Sequence, residues 1–379
     1  MFTTILIFII VLGVLVFVHE LGHFIVARKS GMGVHEFGFG FPPRVVGIQK
    51  VDGKWKIVWG KKQLSSESTV YSINAIPFGG FVRIMGEDND EANDPKSFTN
   101  KSFAARFLTL AAGVLMNVLP AWVILSIGFM VGLPVAIDQT SNLPKGAEFN
   151  NQYILIGEIK SGSAAEQAGL QNGDVIKLVN KQSFTEIPAL QEYIKSHQGE
   201  SIIFDIQRIN ESKSISVQTS KDVAPGQGIV GIGLAYYGTL QFGPITALYQ
   251  GVKTTVNQLQ AIVTGLYNVF TSKAGLKQIG GPVKIAQLTG QVADLGILPL
   301  LQFTAFLSLN LAILNTLPIP ALDGGRMLFL IIEKLRGKPN NQAIEQYANA
   351  IGFMVLLGLM VIISIRDISH IESIKNLFS

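Results

Sequence analysis

Four side chains of this 379-residue chain could do chemistry together: His19, Glu20 and His23 in VLVFVHELGHFIVARK, and Asp323 in NLAILNTLPIPALDGGRM. On an α-helix, residues four apart differ by about 40° in rotation and ~6 Å in rise, so His19 and His23 project from one face. Two imidazoles so placed can grip one ion, at about 2.0–2.1 Å per bond for Zn2+. Glu20 stands about 100° round the helix from His19. It cannot easily join as a ligand, but it can reach a water held in the ion's open position. Two histidine ligands and a glutamate base are the arrangement that readies water for peptide hydrolysis. The bland alternative, a pair of packed or capping histidines, leaves Glu20 as a carboxylate without a partner inside an apolar helix.

A catalytic zinc takes three protein ligands and keeps one position open. Cysteine is absent, which excludes thiolate ligands, disulfides and a cysteine nucleophile, and only His19, His23, His35, His197 and His370 remain as imidazoles. The ligand spacing of soluble zinc proteases would put a histidine at position 29, which is Lys29. His197 and His370 are expected on the far side of the membrane. His35 and Glu36, just past the basic helix end, stay as alternatives. Asp323 is the preferred third ligand: Pro318 and Pro320 unwind the chain before it, and Gly324 and Gly325 permit close backbone approach. Asn315 could hold a substrate backbone or a developing oxyanion. Asn310 and Asn315 could equally make interhelical hydrogen bonds.

The elements that must position these groups are those of a membrane protein. Charged residues make up 15% of the chain and the mean hydropathy is +0.38, against about 25% charged in soluble proteins. Four spans are expected, within residues 1–29, 105–135, 298–338 and 346–366. The first has no basic residue before Arg28 and no small-residue cleavage site, which argues against a signal peptide. If this helix starts near Thr3, His19 lies about 24 Å along it, inside a hydrocarbon core of ~30 Å. The loops after the first and third spans are rich in lysine and arginine, from Arg28 to Lys101 and from Arg326 to Lys338, which marks them as cytoplasmic. Both termini are then extracytoplasmic, and the HELGH motif and Asp323 share one depth near the cytoplasmic face. The net charge of +4 is small, and no nucleic-acid partner is expected.

Residues 30–104 hold VHEFGFGFPPR, KWKIVW and STVYSINAIPFGGFVRIMG, which read as short strands and hairpins. Their hydrophobicity suggests a sheet that dips into the bilayer, where irregular backbone must be covered by protein or line a water-filled cavity. A small cytoplasmic β-subdomain is the plainer alternative. The edge GGFVRIMG, with Gly79, Gly80, Phe81 and Val82, is expected to pair with an extended substrate. Residues 150–222 turn soluble in composition, with alternating strands, two short helices and an NGD turn. Their AGLQNGDVIKLVN resembles the signature of a PDZ domain. Residues 240–295 read as amphipathic or interfacial helices.

HELGH closing a first membrane helix, with NLAILNTLPIPALDGG near the C-terminus, resembles the site-2 protease family of intramembrane zinc metalloproteases, peptidase family M50. GFGFPPR, IPFGGFVRIMGED and GPVKIAQLTGQ are similar to segments of its PDZ-containing bacterial branch, the regulator of sigma-E protease type, so the likeness covers nearly the whole chain. It implies a polytopic α-helical fold with about four transmembrane helices, a membrane-associated β-hairpin region and one extracytoplasmic PDZ domain, in a bacterial inner membrane. It implies that His19, His23 and Asp323 bind Zn2+, that Glu20 is the base and that Asn315 contacts substrate. The implied partners are the lipid bilayer and single-span membrane proteins, either anti-sigma-factor-like or remnants of signal peptides. Relatives can carry two tandem PDZ domains, and this chain has room for one. Two other readings compete: a catalytically silent PDZ scaffold, against which an intact Glu20 argues, and a metal transporter, which would need more intramembrane acids or histidines.

Overall fold

The computed structural model describes residues 2–65, 68–87, 91, 93–137, 144–208, 211–220, 228–271 and 280–369. The chain divides into two compact units, one of Met1–Ile124, Lys253–Ala293 and Phe303–Ser379, the other of Leu125–Val252 and Asp294–Gln302.

Helix α1 (Phe2–Lys29) ends on Arg28 and Lys29, whose charges suit the negative end of its dipole. The strands β1 (Val34–Val51), β2 (Lys54–Trp59) and β3 (Val70–Ile84) then form an antiparallel sheet in the order β2-β1-β3. Both long strands fold back on themselves. Residues Val70–Ile73 of β3 pair with Gln49–Val46 on one side and with Glu36–Phe39 on the other, and Phe37, Gly38 and Phe39 pair in turn with Val82, Phe81 and Gly80. The segment Gly80–Ile84 is therefore an outer edge, with no strand on its far side among the described residues. Phe39, Phe41, Ile48, Trp55, Ile57 and Ile73 are exposed on this sheet, more apolar surface than a sheet bathed in water tolerates.

Helix α2 (Phe103–Val131) leads into the second unit. There β4 (Leu133–Ile137), β5 (Glu148–Ile159), β6 (Val175–Val179), β7 (Ser201–Arg208), β8 (Glu211–Gln218) and β9 (Ile232–Gln241) build a sheet ordered β4-β9-β5-β6-β7-β8. Two helices accompany it, α3 (Ala164–Ala168) and α4 (Ile187–Ser196). Helix α4 buries Ile187, Leu190 and Ile194 along one stripe, and β7 buries the alternate residues Ile202, Phe204 and Ile206. These meet Ile154, Ile156 and Val217 in one core. The sheet extends past the expected 150–222 span at both ends, because β9 pairs with β5 and β4 pairs in turn with β9.

The remaining elements are helices: α5 (Pro244–Thr271), α6 (Pro282–Asp294), α7 (Ile297–Thr316), α8 (Asp323–Arg336) and α9 (Gln342–Ser369). Four of the described helices, α1, α2, α7 and α9, are long and apolar enough to cross a bilayer, with mean hydropathies from 1.9 to 2.8. None of the most apolar stretch of α9 is buried by protein, so Phe353, Met354, Val355 and Ile362 face outward, which lipid permits and water opposes. The segment expected as one span with a tail, 298–338, is two helices. Thr316 ends the first, and the prolines fill the break before Asp323 opens the second.

Candidate metal centre

His19 and His23 are both buried on the inward face of α1. Their Nε2 atoms lie 3.1 Å apart. Oδ2 of Asp323 lies 2.9 Å from His19 Nε2 and 3.5 Å from His23 Nε2. Apart from these imidazoles, that buried oxygen has no partner among the described residues. A tetrahedral ion with bonds of about 2.05 Å holds its donors roughly 3.3 Å apart. The observed triangle brackets that value, so these three donors fit a zinc ion. Glu20 also offers an oxygen within 4.8 Å of the histidine nitrogens. It stands to one side of the triangle, as its position one residue along the helix dictates.

Each donor is held from behind. His23 Nδ1 is 2.8 Å from the carbonyl oxygen of Thr109. A carbonyl only accepts, so Nδ1 carries the proton and Nε2 presents its lone pair. His19 Nδ1 is 3.0 Å from the side-chain amide of Asn117. Gly22, inside HELGH, sits so close to α2 that a Cβ there would run into the Ala112 carbonyl. Asp323 is the first residue of α8, where the helix dipole favours an acid. Its glycines earn their place sterically: a Cβ on Gly324 would overlap the carbonyls of Thr316 and Leu317, and one on Gly325 that of Ile319. The turn between is fixed from α9, since Ala321, at a φ of 74° that only a supported residue adopts, donates its N–H to Asn349 Oδ1 at 3.0 Å. Ion pairs of Arg326 with Glu87 and of Arg106 with Glu333 hold α8 in place.

The other expected residues divide. Asn315 comes to the centre, its Nδ2 3.4 Å from His19 Nε2. Asn310 instead donates to the Phe306 carbonyl of its own helix, in an apolar groove between α5 and α7 that includes Gln258 and Ile313. Gly79 and Gly80 pack against Val16 and Phe17 of α1, one turn before Glu20, and Phe81 and Val82 continue along the sheet edge. His35 pairs with Glu91 at 2.8 Å, and Glu36 takes a two-pronged hydrogen bond from Arg44. Neither alternative third ligand is at the centre. Burial opposes charge on Glu36, but the Arg44 guanidinium outweighs it and holds the carboxyl below the usual carboxylate range. His197 bonds within its own helix end, to the Tyr193 carbonyl, and His370 lies outside the described residues. Thr109, Gly113 and Asn117 were not foreseen. Asn117 alone carried a signal, as an uncharged polar residue deep in the apolar run GVLMNVLP.

The model of peptidase family M50 matches residues 7–359. The chain belongs to peptidase family M50. Among its M50 relatives, the zinc metalloprotease RasP of Geobacillus kaustophilus is 30% identical, the match covering 95% of this chain and 96% of that protein. The regulator of sigma-W protease RasP of Bacillus subtilis is 29% identical over 97% of this chain and 99% of its own length. A further RasP, from Bacillus licheniformis, is 30% identical with the same coverage. This M50 chain is thus a zinc metalloprotease, and its four apolar helices are those of a membrane enzyme.

Proposed function

We propose that this chain cleaves single-span membrane proteins within their transmembrane segments, with His19, His23 and Asp323 as zinc ligands and Glu20 as general base. One observation carries the reading: three donor atoms within 3.5 Å of one another, two of them on a helix of membrane-spanning length, with the Glu20 carboxylate beside them. Zinc, when bound, lowers the pKa of its water to about 7 and polarises the scissile carbonyl. Glu20 takes a proton from the attacking water and returns it to the leaving nitrogen. Asn315 donates from Nδ2 to the carbonyl oxygen as charge develops there, and Asn310 meets the substrate further along α7.

A substrate helix must unwind before attack, because its carbonyls are engaged in bonds four residues apart. The open edge Gly80–Ile84 offers an alternative set of partners by strand addition, with Gly79, Gly80, Phe81 and Val82 in contact with the substrate. That edge begins beside Phe17, three residues before Glu20, so a strand added there passes the base. Four spans in a bacterial inner membrane, with both termini outside, put the centre near the cytoplasmic face, as the basic loops favour. The 150–222 segment then acts outside as a PDZ domain, admitting substrates whose extracytoplasmic part is already trimmed. The B. subtilis relative is named a regulator of sigma-W protease, which supports anti-sigma-factor-like substrates, with signal-peptide remnants as a second group.

The test is cleavage of a model transmembrane substrate by purified protein in detergent, with zinc content measured in parallel. Glu20→Gln is expected to keep zinc and to lose about 10²–10⁴-fold in rate. A Glu20→Gln variant that cleaves as the native chain does would sink the mechanism. Asp323→Asn is expected to lose zinc and activity together, and full occupancy in that variant would remove Asp323 from the ligand set.

A further inference from the structure

We infer that Asn117 is a positioning residue for the metal centre, holding His19 in the tautomer and ring orientation that leave Nε2 free to bind zinc. This rests on the reading of His19, His23 and Asp323 as the metal donors. An imidazole that binds a cation through Nε2 keeps its proton on Nδ1, and that proton needs an acceptor. For His23 the acceptor is the Thr109 carbonyl. Among the described residues no such carbonyl meets His19 Nδ1. What meets its Nδ1 most closely, at 3.0 Å, is the fully buried amide of Asn117, with Asn315 Nδ2 farther off at 3.5 Å.

An amide offers a donor at one end and an acceptor at the other, in nearly the same shape. With Nδ2 toward the ring, Oδ1 of Asn117 is buried without a partner among the described residues. Turned end for end, Oδ1 accepts the Nδ1 proton of His19 and that orphaned oxygen is satisfied. The orientation that gives Oδ1 a partner is the one that prepares His19 for metal. The residue is anchored for this task, since its backbone carbonyl accepts a hydrogen bond from Ser308 Oγ of α7 at 2.7 Å. Thr109, Gly113 and Asn117 follow one another at four-residue steps, so a single stripe of α2 backs both histidines. Gly113, between the two acceptors, lies where the imidazoles meet, and a Cβ there would overlap His23 Nε2.

Two substitutions separate this role from packing. Asn117→Leu keeps the branched outline without an acceptor, and Asn117→Asp keeps an acceptor without a donor. Zinc affinity of the purified full chain is measured by competition with a chelating dye, and the visible spectrum is recorded with cobalt(II) in place of zinc. Asn117→Leu is expected to bind zinc about 10–100-fold more weakly with an altered cobalt spectrum, and Asn117→Asp to bind as tightly as the native chain with the native spectrum. Native affinity in Asn117→Leu overturns the inference. So does weakened binding in Asn117→Asp, a result that stands even if the leucine variant fails to fold. A native chain that binds no zinc would bring down the underlying metal assignment as well, so the two failures are distinguishable.

Discussion

The three donors of the centre reach it by different routes, and each route sets what a substitution does. His19 and His23 are paired by helix geometry alone, so their meeting was legible from a spacing of four. Asp323 is some three hundred residues away, and it was legible because prolines and glycines around an acid in apolar sequence announce an unwound, close-packed segment. The supports behind the histidines were not. Thr109 contributes a backbone carbonyl, which no side-chain type betrays, and Gly113 contributes only the absence of a Cβ. Gly22 shows how narrow such tolerances are. Gly22→Ala pushes a methyl group into the Ala112 carbonyl, and overpacking of this kind costs about 1–3 kcal/mol. Because the displaced helix carries Thr109 as well as Ala112, the expected outcome is a lower melting temperature in detergent together with weaker zinc binding. A Gly22→Ala protein that melts and binds zinc as the native chain does would show that α1 and α2 can part without disturbing the donors.

At the scale of elements, local pattern marked where strands and helices lie, while pairing over long distances decided what they build. The aromatic, Gly-bounded runs between Val34 and Gly86 were readable as strands, but the folding back that makes Gly80–Ile84 an edge depends on Phe37 facing both Tyr71 and Val82. In the second unit, β4 and β9 join through Ile137 and Tyr236, about a hundred residues apart in sequence, so a boundary drawn from composition missed them both. The edge itself makes a periodic prediction. Successive N–H groups of a strand point to opposite sides, so proline at each position from Gly80 to Ile84 removes in alternation a bond to β1 and a bond to whatever pairs outside. Variants of the outward set are expected to keep zinc and to lose cleavage of a transmembrane substrate, while variants of the inward set lose yield and zinc together. Five variants with one common phenotype would refute strand addition at this edge.

For the whole molecule, charge is the only signal of orientation, and it is a kinetic signal of insertion that no packing contact records. Lysine and arginine between the first and second spans, and again between the third and fourth, favour a cytoplasmic location for both loops. If four spans cross with those loops inside, the soluble segments alternate between sides and residues 150–222 fall outside, as proposed above. The absence of cysteine makes the assignment directly measurable, because any single introduced cysteine is the one thiol in the chain. Lys62 and Lys338 are exposed in the basic loops, and Gln171 and Lys195 are exposed in the second unit. Cysteines replacing Gln171 and Lys195 are expected to react with a membrane-impermeant maleimide applied to intact spheroplasts. Those replacing Lys62 and Lys338 are expected to react only after the membrane is opened. The reverse pattern would put the histidines and Asp323 near the outer face, and a trimming filter in the second unit would then lie on the wrong side to act before cleavage.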